Sequence, residues 1–306
     1  MSATVVISGG DGFIGSHLTR YLVECGYKVY ALVMKGSPLV SRIADIDSVT
    51  IIEGDLDHYE EFFDELPRKP RAFLHFAWAG VSPEERKSVE KQRINLNISL
   101  SAVEMASKIG AEKFIFPGST MEYSLSNHII NDEAAPSPQN AYGAVKISTR
   151  YLCSMKCKEL GLNFVYAVIS SIYSEDRIDN NVVYYTISTL LKREKPKLTK
   201  LEQLWDYVHI DDVMLGLRLI IEKGKDKRFY CIGHGDNWPL SNYILKIRDI
   251  IDPTLPLGIG EVPYEGNRLP MSCVDLSSII DDTGFTPQID FEQGIRRVIE
   301  KVKDGK

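Results

Sequence analysis

No stretch limits what this chain can fold into more than Thr4 to Gly26. Thr4-Val5-Val6-Ile7-Ser8 is β-branched and apolar, the pattern of a strand buried on both faces. Gly9-Gly10-Asp11-Gly12-Phe13-Ile14-Gly15 follows without a spacer. Leu18, Tyr21, Leu22 and Cys25 then recur at helical spacing up to a stop at Gly26. A strand, a glycine turn and a helix start form a phosphate site. Glycines let the backbone approach a pyrophosphate, and the unpaired N–H groups of the helix end point at the anion. Two registers fit, Gly10-x-Gly12-x-x-Gly15 and Gly9-x-x-Gly12-x-x-Gly15, and either predicts dinucleotide binding.

The alternation continues along the chain. Lys28–Met34, Val49–Glu53, Ala72–Phe76, Lys113–Phe116 and Phe164–Ile169 read as strands with helical stretches between them. That order predicts right-handed crossovers and a parallel sheet covered on both faces. After residue 170 the rhythm breaks, and Phe229–Ile232 reads as a strand returning to the first sheet. The expected architecture is α/β: a doubly wound parallel sheet over residues 1–170, joined by 229–233, and a smaller α+β substrate-binding domain over 171–306. Ser82-Pro83-Glu84-Glu85 predicts a helix start, and Asp211 is placed as the cap of a helix running to Lys223. Ile94 to Ile109 is apolar on more than one face, so one side is expected on the sheet and the other on a second subunit, making a homodimer.

Bulk numbers narrow the partners. The net charge of −6 argues against nucleic acid, whose phosphates are met by basic surfaces. No apolar run reaches membrane length, and the N-terminus runs straight into a strand rather than a signal peptide. The five cysteines (25, 153, 157, 231, 273) are an odd number without paired spacing or a completing histidine set. The expectation is a cytoplasmic protein with reduced thiols and no metal, acting on a small molecule.

Chemistry first surfaces at Tyr142-Gly143-Ala144-Val145-Lys146. On a helix, positions i and i+4 share a face, so phenol and ammonium point the same way. The ammonium is expected to pull the tyrosine below its ordinary pKa of about 10, making it a usable acid or base. Alone, the pair is more often an accident of a helix surface than a catalytic pair. Phe114-Ile115-Phe116-Pro117-Gly118-Ser119-Thr120-Met121-Glu122-Tyr123 shifts the weight. It is a buried strand ending in hydroxyls, and ligands of doubly wound sheets sit beyond the carboxyl ends of strands. Ser119 or Thr120 is therefore placed to bond a substrate oxygen, or else merely caps a turn.

Taken together, the glycine turn, Ser119-Thr120-Met121-Glu122-Tyr123 and Tyr142-Gly143-Ala144-Val145-Lys146 resemble the extended short-chain dehydrogenase/reductase family, within it the nucleotide-sugar epimerases, dehydratases and 4-keto reductases. The likeness spans nearly the whole chain, through Trp205-Asp206-Tyr207-Val208-His209-Ile210-Asp211-Asp212 to Gly284-Phe285-Thr286-Pro287. It implies a Rossmann domain and a catalytic set of Ser119, Tyr142 and Lys146, the last holding the nicotinamide ribose. It favours Gly9, Gly12 and Gly15 as the glycine register. It also implies cofactor contacts at Phe13, Ile14, Asp55, Leu56, Ala77 and Asn95.

Departures from the family pattern sharpen the expectation. Dehydratases carry an acid pair after the Ser/Thr, whereas Thr120-Met121 stands here, so dehydration is not expected. Glu122, one residue on, reads as a solvated or salt-bridged side chain. Between Tyr27 and Ala44 there is no Asp or Glu to bind a ribose 2′-hydroxyl, and Lys35, Ser37 and Arg42 suit a 2′-phosphate instead. NADP(H) is therefore expected over NAD(H). Ser171 and Trp205 stand where the family's diphosphate-binding Asn and Arg would be, leaving Arg177, Lys192 or Arg268 to hold a nucleoside diphosphate. The leading expectation is reduction of the 4-keto group of a nucleotide-activated deoxyhexose by NADPH. The alternatives are an NAD-dependent nucleotide-sugar 4-epimerase and a reductase of non-sugar aldehydes or ketones.

Overall fold

The computed structural model describes residues 3–124, 129–177, 181–264 and 271–305. In chain order its strands are β1 (Thr4–Ser8), β2 (Lys28–Met34), β3 (Val49–Gly54), β4 (Ala72–His75), β5 (Lys113–Ser119), β6 (Asn163–Ile169), β7 (Ser171–Tyr173), β8 (Lys197–Leu198), β9 (Leu204–Trp205), β10 (Tyr207–His209), β11 (Phe229–Ile232), β12 (Trp238–Pro239) and β13 (Gly258–Ile259). The helices are α1 (Phe13–Glu24), α2 (Val89–Lys108), α3 (Ala141–Leu160), α4 (Val182–Leu191), α5 (Ile210–Lys223), α6 (Leu240–Ile251), α7 (Ser277–Thr283) and α8 (Phe291–Asp304).

Seven strands form one sheet in the order β11-β6-β5-β4-β1-β2-β3, and every pairing in it is parallel. Strand order reverses at β1, between β2 and β4, which is the crevice where such sheets take ligands. Val5, Val6, Ile7, Phe73, Leu74, Phe114, Ile115 and Val165 are wholly buried, as strands covered on both faces must be. A second apolar cluster gathers Ile187, Tyr243, Ile247, Phe291, Ile295 and Ile299 from α4, α6 and α8. The ribbon of β7 and β10 continues from β6 beyond the carboxyl edge of the main sheet.

Two local expectations change. Ser82 does exchange hydrogen bonds with Glu85, but the product is a single 3-10 turn, Glu85–Lys87. Ser88 then turns extended and itself caps α2 at Val89. At α5 the cap is His209, whose ring accepts from the Asp211 N–H at 3.3 Å, and Asp211 sits inside the first turn. All five cysteines are free thiols, four of them buried.

Candidate active site

The glycine turn is built for close approach. Gly9 has φ +73°, and a Cβ there would lie 2.7 Å from the Ala77 nitrogen, while a Cβ on Gly15 would lie 2.1 Å from the Gly9 carbonyl. Gly12 caps α1 without a side chain and no acid stands in the first turn, so the N–H groups of Phe13, Ile14 and Gly15 are left for an anion. These residues fit a dinucleotide pyrophosphate. Arg177 lies with its guanidinium 5.3 Å from the Phe13 ring and donates to the Ile172 carbonyl, closing over the same helix end.

Beside the end of β2, Asp11 of the glycine turn is buried, and its carboxylate accepts a hydrogen bond from the Ser37 hydroxyl. Ser37 is therefore engaged with a carboxylate rather than presented to a phosphate. Arg42 donates to the Asp11 carbonyl at 3.4 Å, and the Lys35 side chain is exposed. Asp55 is exposed and turns onto the Asp57 N–H, with Leu56 half-buried beside it.

Ser119, Tyr142 and Lys146 converge at the carboxyl edge of β5. Ser119 ends that strand opposite Ile169 and caps the 3-10 turn Thr120–Tyr123, its hydroxyl accepting from the Met121 N–H at 3.2 Å. The same hydroxyl acts on the Tyr142 phenol, so the cap stands beside that side chain. Asn140 caps α3, and a Cβ on Gly143 would lie 2.5 Å from the Met121 carbonyl. Only a glycine lets the helix start press against the turn and bring Tyr142 to Ser119. Thr120 stands half-buried at the head of that turn.

The charge relations differ from the expectation. Burial, then the charge of Glu122, push the Tyr142 phenol up to about 12, against the smaller opposing effects of Arg86 and Ser119. Lys146 does not lower it. The Lys146 ammonium is itself buried, donates to the Pro117 carbonyl at 3.1 Å and stacks 3.9 Å from the Trp78 ring centre. Burial drives Lys146 down and Glu122 up, and the opposite charge of each works against its partner's shift. Glu122 is thus neither solvated nor salt-bridged: it is fully buried, accepting from the Ser119 N–H at 2.7 Å and from the Tyr166 hydroxyl.

Two further residues order the loop after β4. Trp78 packs edge-on to Tyr142, with ring centres 5.7 Å apart, and was visible in sequence only as the residue after His75-Phe76-Ala77. Asn95 has its whole amide taken up by the Ala79 backbone and the Gln92 carbonyl. It holds the loop after β4, where Ala77 is buried, rather than facing a ligand.

A cavity of about 400 Å³ is lined by Tyr185, Leu201, Gln203, Trp205, Tyr207 and Val262, and none of Ser119, Tyr142 and Lys146 lines it. Periodicity had no means of finding it, because its walls come from α4, short strands and loops. The Trp205 indole N–H is buried there without a hydrogen-bond partner. Ser171 lies 3.5 Å from the Ser272 hydroxyl, and Lys192 is exposed at the end of α4. Arg268 lies outside the described residues. Among the described residues no cluster suits a metal ion, and no helix is long and apolar enough to cross a membrane.

Comparison with known proteins agrees with this geometry. The model of the NAD dependent epimerase/dehydratase family matches residues 5–233, so the chain belongs to that family and is an enzyme of it. It is 23% identical to the UDP-glucose 4-epimerase of Azospirillum brasilense, covering 97% of this chain and 90% of that one. It is 22% identical to the dTDP-4-dehydro-6-deoxyglucose reductase of Escherichia coli, covering 98% and 97%. Among solved structures, a Bordetella bronchiseptica enzyme in complex with NAD and UDP superposes with a TM-score of 0.85 at 17% identity, covering 100% of this chain and 96% of that one.

Proposed function

We propose that this enzyme moves hydride between a nicotinamide dinucleotide and the C4 position of a nucleotide-activated hexose. The observation that carries the reading is the convergence of Ser119, Tyr142 and Lys146 at the end of β5, in a sheet whose β1 leads into the glycine turn. The dinucleotide, when bound, supplies or accepts the hydride. Tyr142 gives a proton to the substrate oxygen or takes one from it, and Ser119 donates a hydrogen bond to that oxygen as charge builds. Lys146 holds the nicotinamide ribose, and Gly9, Gly12 and Gly15 seat the pyrophosphate. The cavity takes the nucleoside end, with the Trp205 side chain in its wall.

Two finer readings share this machinery. Reduction of a 4-keto-6-deoxyhexose by NADPH is supported by Lys35 and Arg42 near the ribose end and by Thr120-Met121 in place of a dehydratase acid pair. Epimerisation at C4 with retained NAD⁺ is favoured by one observation, the buried Asp11 carboxylate on Ser37, because a 2′-phosphate there meets negative charge. A reductase exchanges its dinucleotide every turnover and an epimerase keeps it. Purified protein is therefore denatured and its released nucleotide quantified, and fresh protein is given NADPH with a nucleotide 4-keto sugar. Stoichiometric NAD⁺ with no NADPH consumption leaves the epimerase; empty protein that oxidises NADPH leaves the reductase. Activity only on non-sugar carbonyls removes both.

The assembly we infer is a homodimer through α2 and α3. These helices pack on each other, yet leave Val89, Ile94, Tyr151, Leu152 and Met155 exposed. Light scattering at micromolar concentration should give twice the chain mass, with Leu152→Asp/Met155→Asp returning a monomer. A monomeric wild type would remove the dimer.

A further inference from the structure

Glu122 has no part in the steps above, although its carboxyl is fully buried at their centre. One oxygen accepts from the Ser119 N–H at 2.7 Å, and the other accepts from the hydroxyl of Tyr166, itself a buried residue of β6. Around it stand Tyr123 in its own turn, Tyr142, Lys146 and Arg150 on α3, and Tyr166 on β6. Arg150 is occupied elsewhere, donating to the Tyr123 hydroxyl at 3.0 Å with its guanidinium 4.5 Å from the Tyr166 ring centre.

Lys146 poses the complementary problem. Its ammonium is buried, and loss of water favours the neutral amine; the ring faces of Trp78 and Phe116 and one carbonyl bond offset this only in part, so a nearby negative charge is needed. The other groups acting on it cannot supply that charge: burial keeps both the His75 imidazole and the Cys153 thiol uncharged. Glu122 is the buried carboxylate at the same strand end: it accepts from the Ser119 N–H while Lys146 donates to the Pro117 carbonyl two residues earlier in β5.

We propose that Glu122 is a positioning residue of this active site, the buried counter-charge that keeps Lys146 an ammonium while it pins the backbone of Ser119. The inference rests on the roles given above to Ser119 and Lys146. A carboxyl that only capped the turn would need no charge, because an amide oxygen accepts from the Ser119 N–H equally well.

Glu122→Gln keeps that acceptor and deletes the charge, so it separates the two roles. The first readout is dinucleotide affinity against pH, by fluorescence titration. As Lys146 loses its proton, affinity falls on the alkaline side, and in E122Q this limb is expected about one pH unit lower. Tyr166→Phe, which removes a donor that favours the ionised carboxyl, moves the limb the same way by less. The second readout needs no ligand: a double-mutant cycle of E122Q and Lys146→Met by thermal unfolding. Near pH 7 the double variant is expected to lose less melting temperature than the two single losses added. Near pH 5, where Glu122 is protonated, the losses should add. A folded E122Q or Y166F with the wild-type limb, or additive losses at both pH values, overturns the proposal. Wild-type protein that binds no dinucleotide sinks the functional reading instead, and the unfolding cycle still decides on Glu122.

Discussion

Tyr142→Phe is expected to lower turnover by about 10²- to 10⁴-fold while leaving dinucleotide affinity nearly unchanged. The substitution removes only the O–H; the ring that packs edge-on to Trp78 and the helix start pressed against Met121 both stay. Steady-state kinetics beside a cofactor titration check this, and a Phe variant with wild-type turnover removes Tyr142 as the proton donor. The pH dependence has a definite sign. Burial and the Glu122 charge push the phenol up to about 12, so it is protonated throughout the neutral range and ready to donate. A reducing step is therefore expected to show no loss from Tyr142 titration near neutrality, whereas an oxidising step, which needs the phenolate, should quicken as pH rises.

At the other end of the cofactor, Asp11→Asn is expected to narrow the discrimination against NADP(H) by about 10- to 100-fold, the like-charge term between a carboxylate and a 2′-phosphate in a partly screened site. The amide keeps an oxygen to accept from Ser37, so the turn is retained and only the charge is lost. Affinities of wild type and variant for NADH and NADPH provide the check. A wild type that already prefers NADPH overturns the role given to Asp11 and restores Lys35, Ser37 and Arg42 as a phosphate site. Measured together, the two variants separate binding at the adenosine end from chemistry at the nicotinamide end.

The inner strands were legible because they are covered on both faces, which the edge strand β3 is not. A β-branched apolar run bounded by glycine or polar residues has few other places to go, and β1, β2 and β11 begin and end where the residue pattern does. Tyr142 and Lys146 were legible for the related reason that i, i+4 spacing is a property of one helix. The local signals that misled, Ser82-Pro83-Glu84-Glu85 and Asp211, did form turn contacts but were outcompeted as caps by Ser88 and His209.

What this sequence determined by itself is the set of relations written along one segment: the glycine turn before α1, the strand delivering Ser119 and the helix aligning Tyr142 with Lys146. Tertiary structure decided the charges. Asp11 meets Ser37 across 26 residues and Glu122 meets Tyr166 across 44, distances at which no periodicity carries information. The expected lowering of Tyr142 failed because a pKa answers to burial and to every charge nearby, not to one neighbour on the same helix. Hydrophobic pattern is local and survives in the order of residues. Desolvation and Coulomb interaction depend on what the folded chain brings together, and they arise only when it closes.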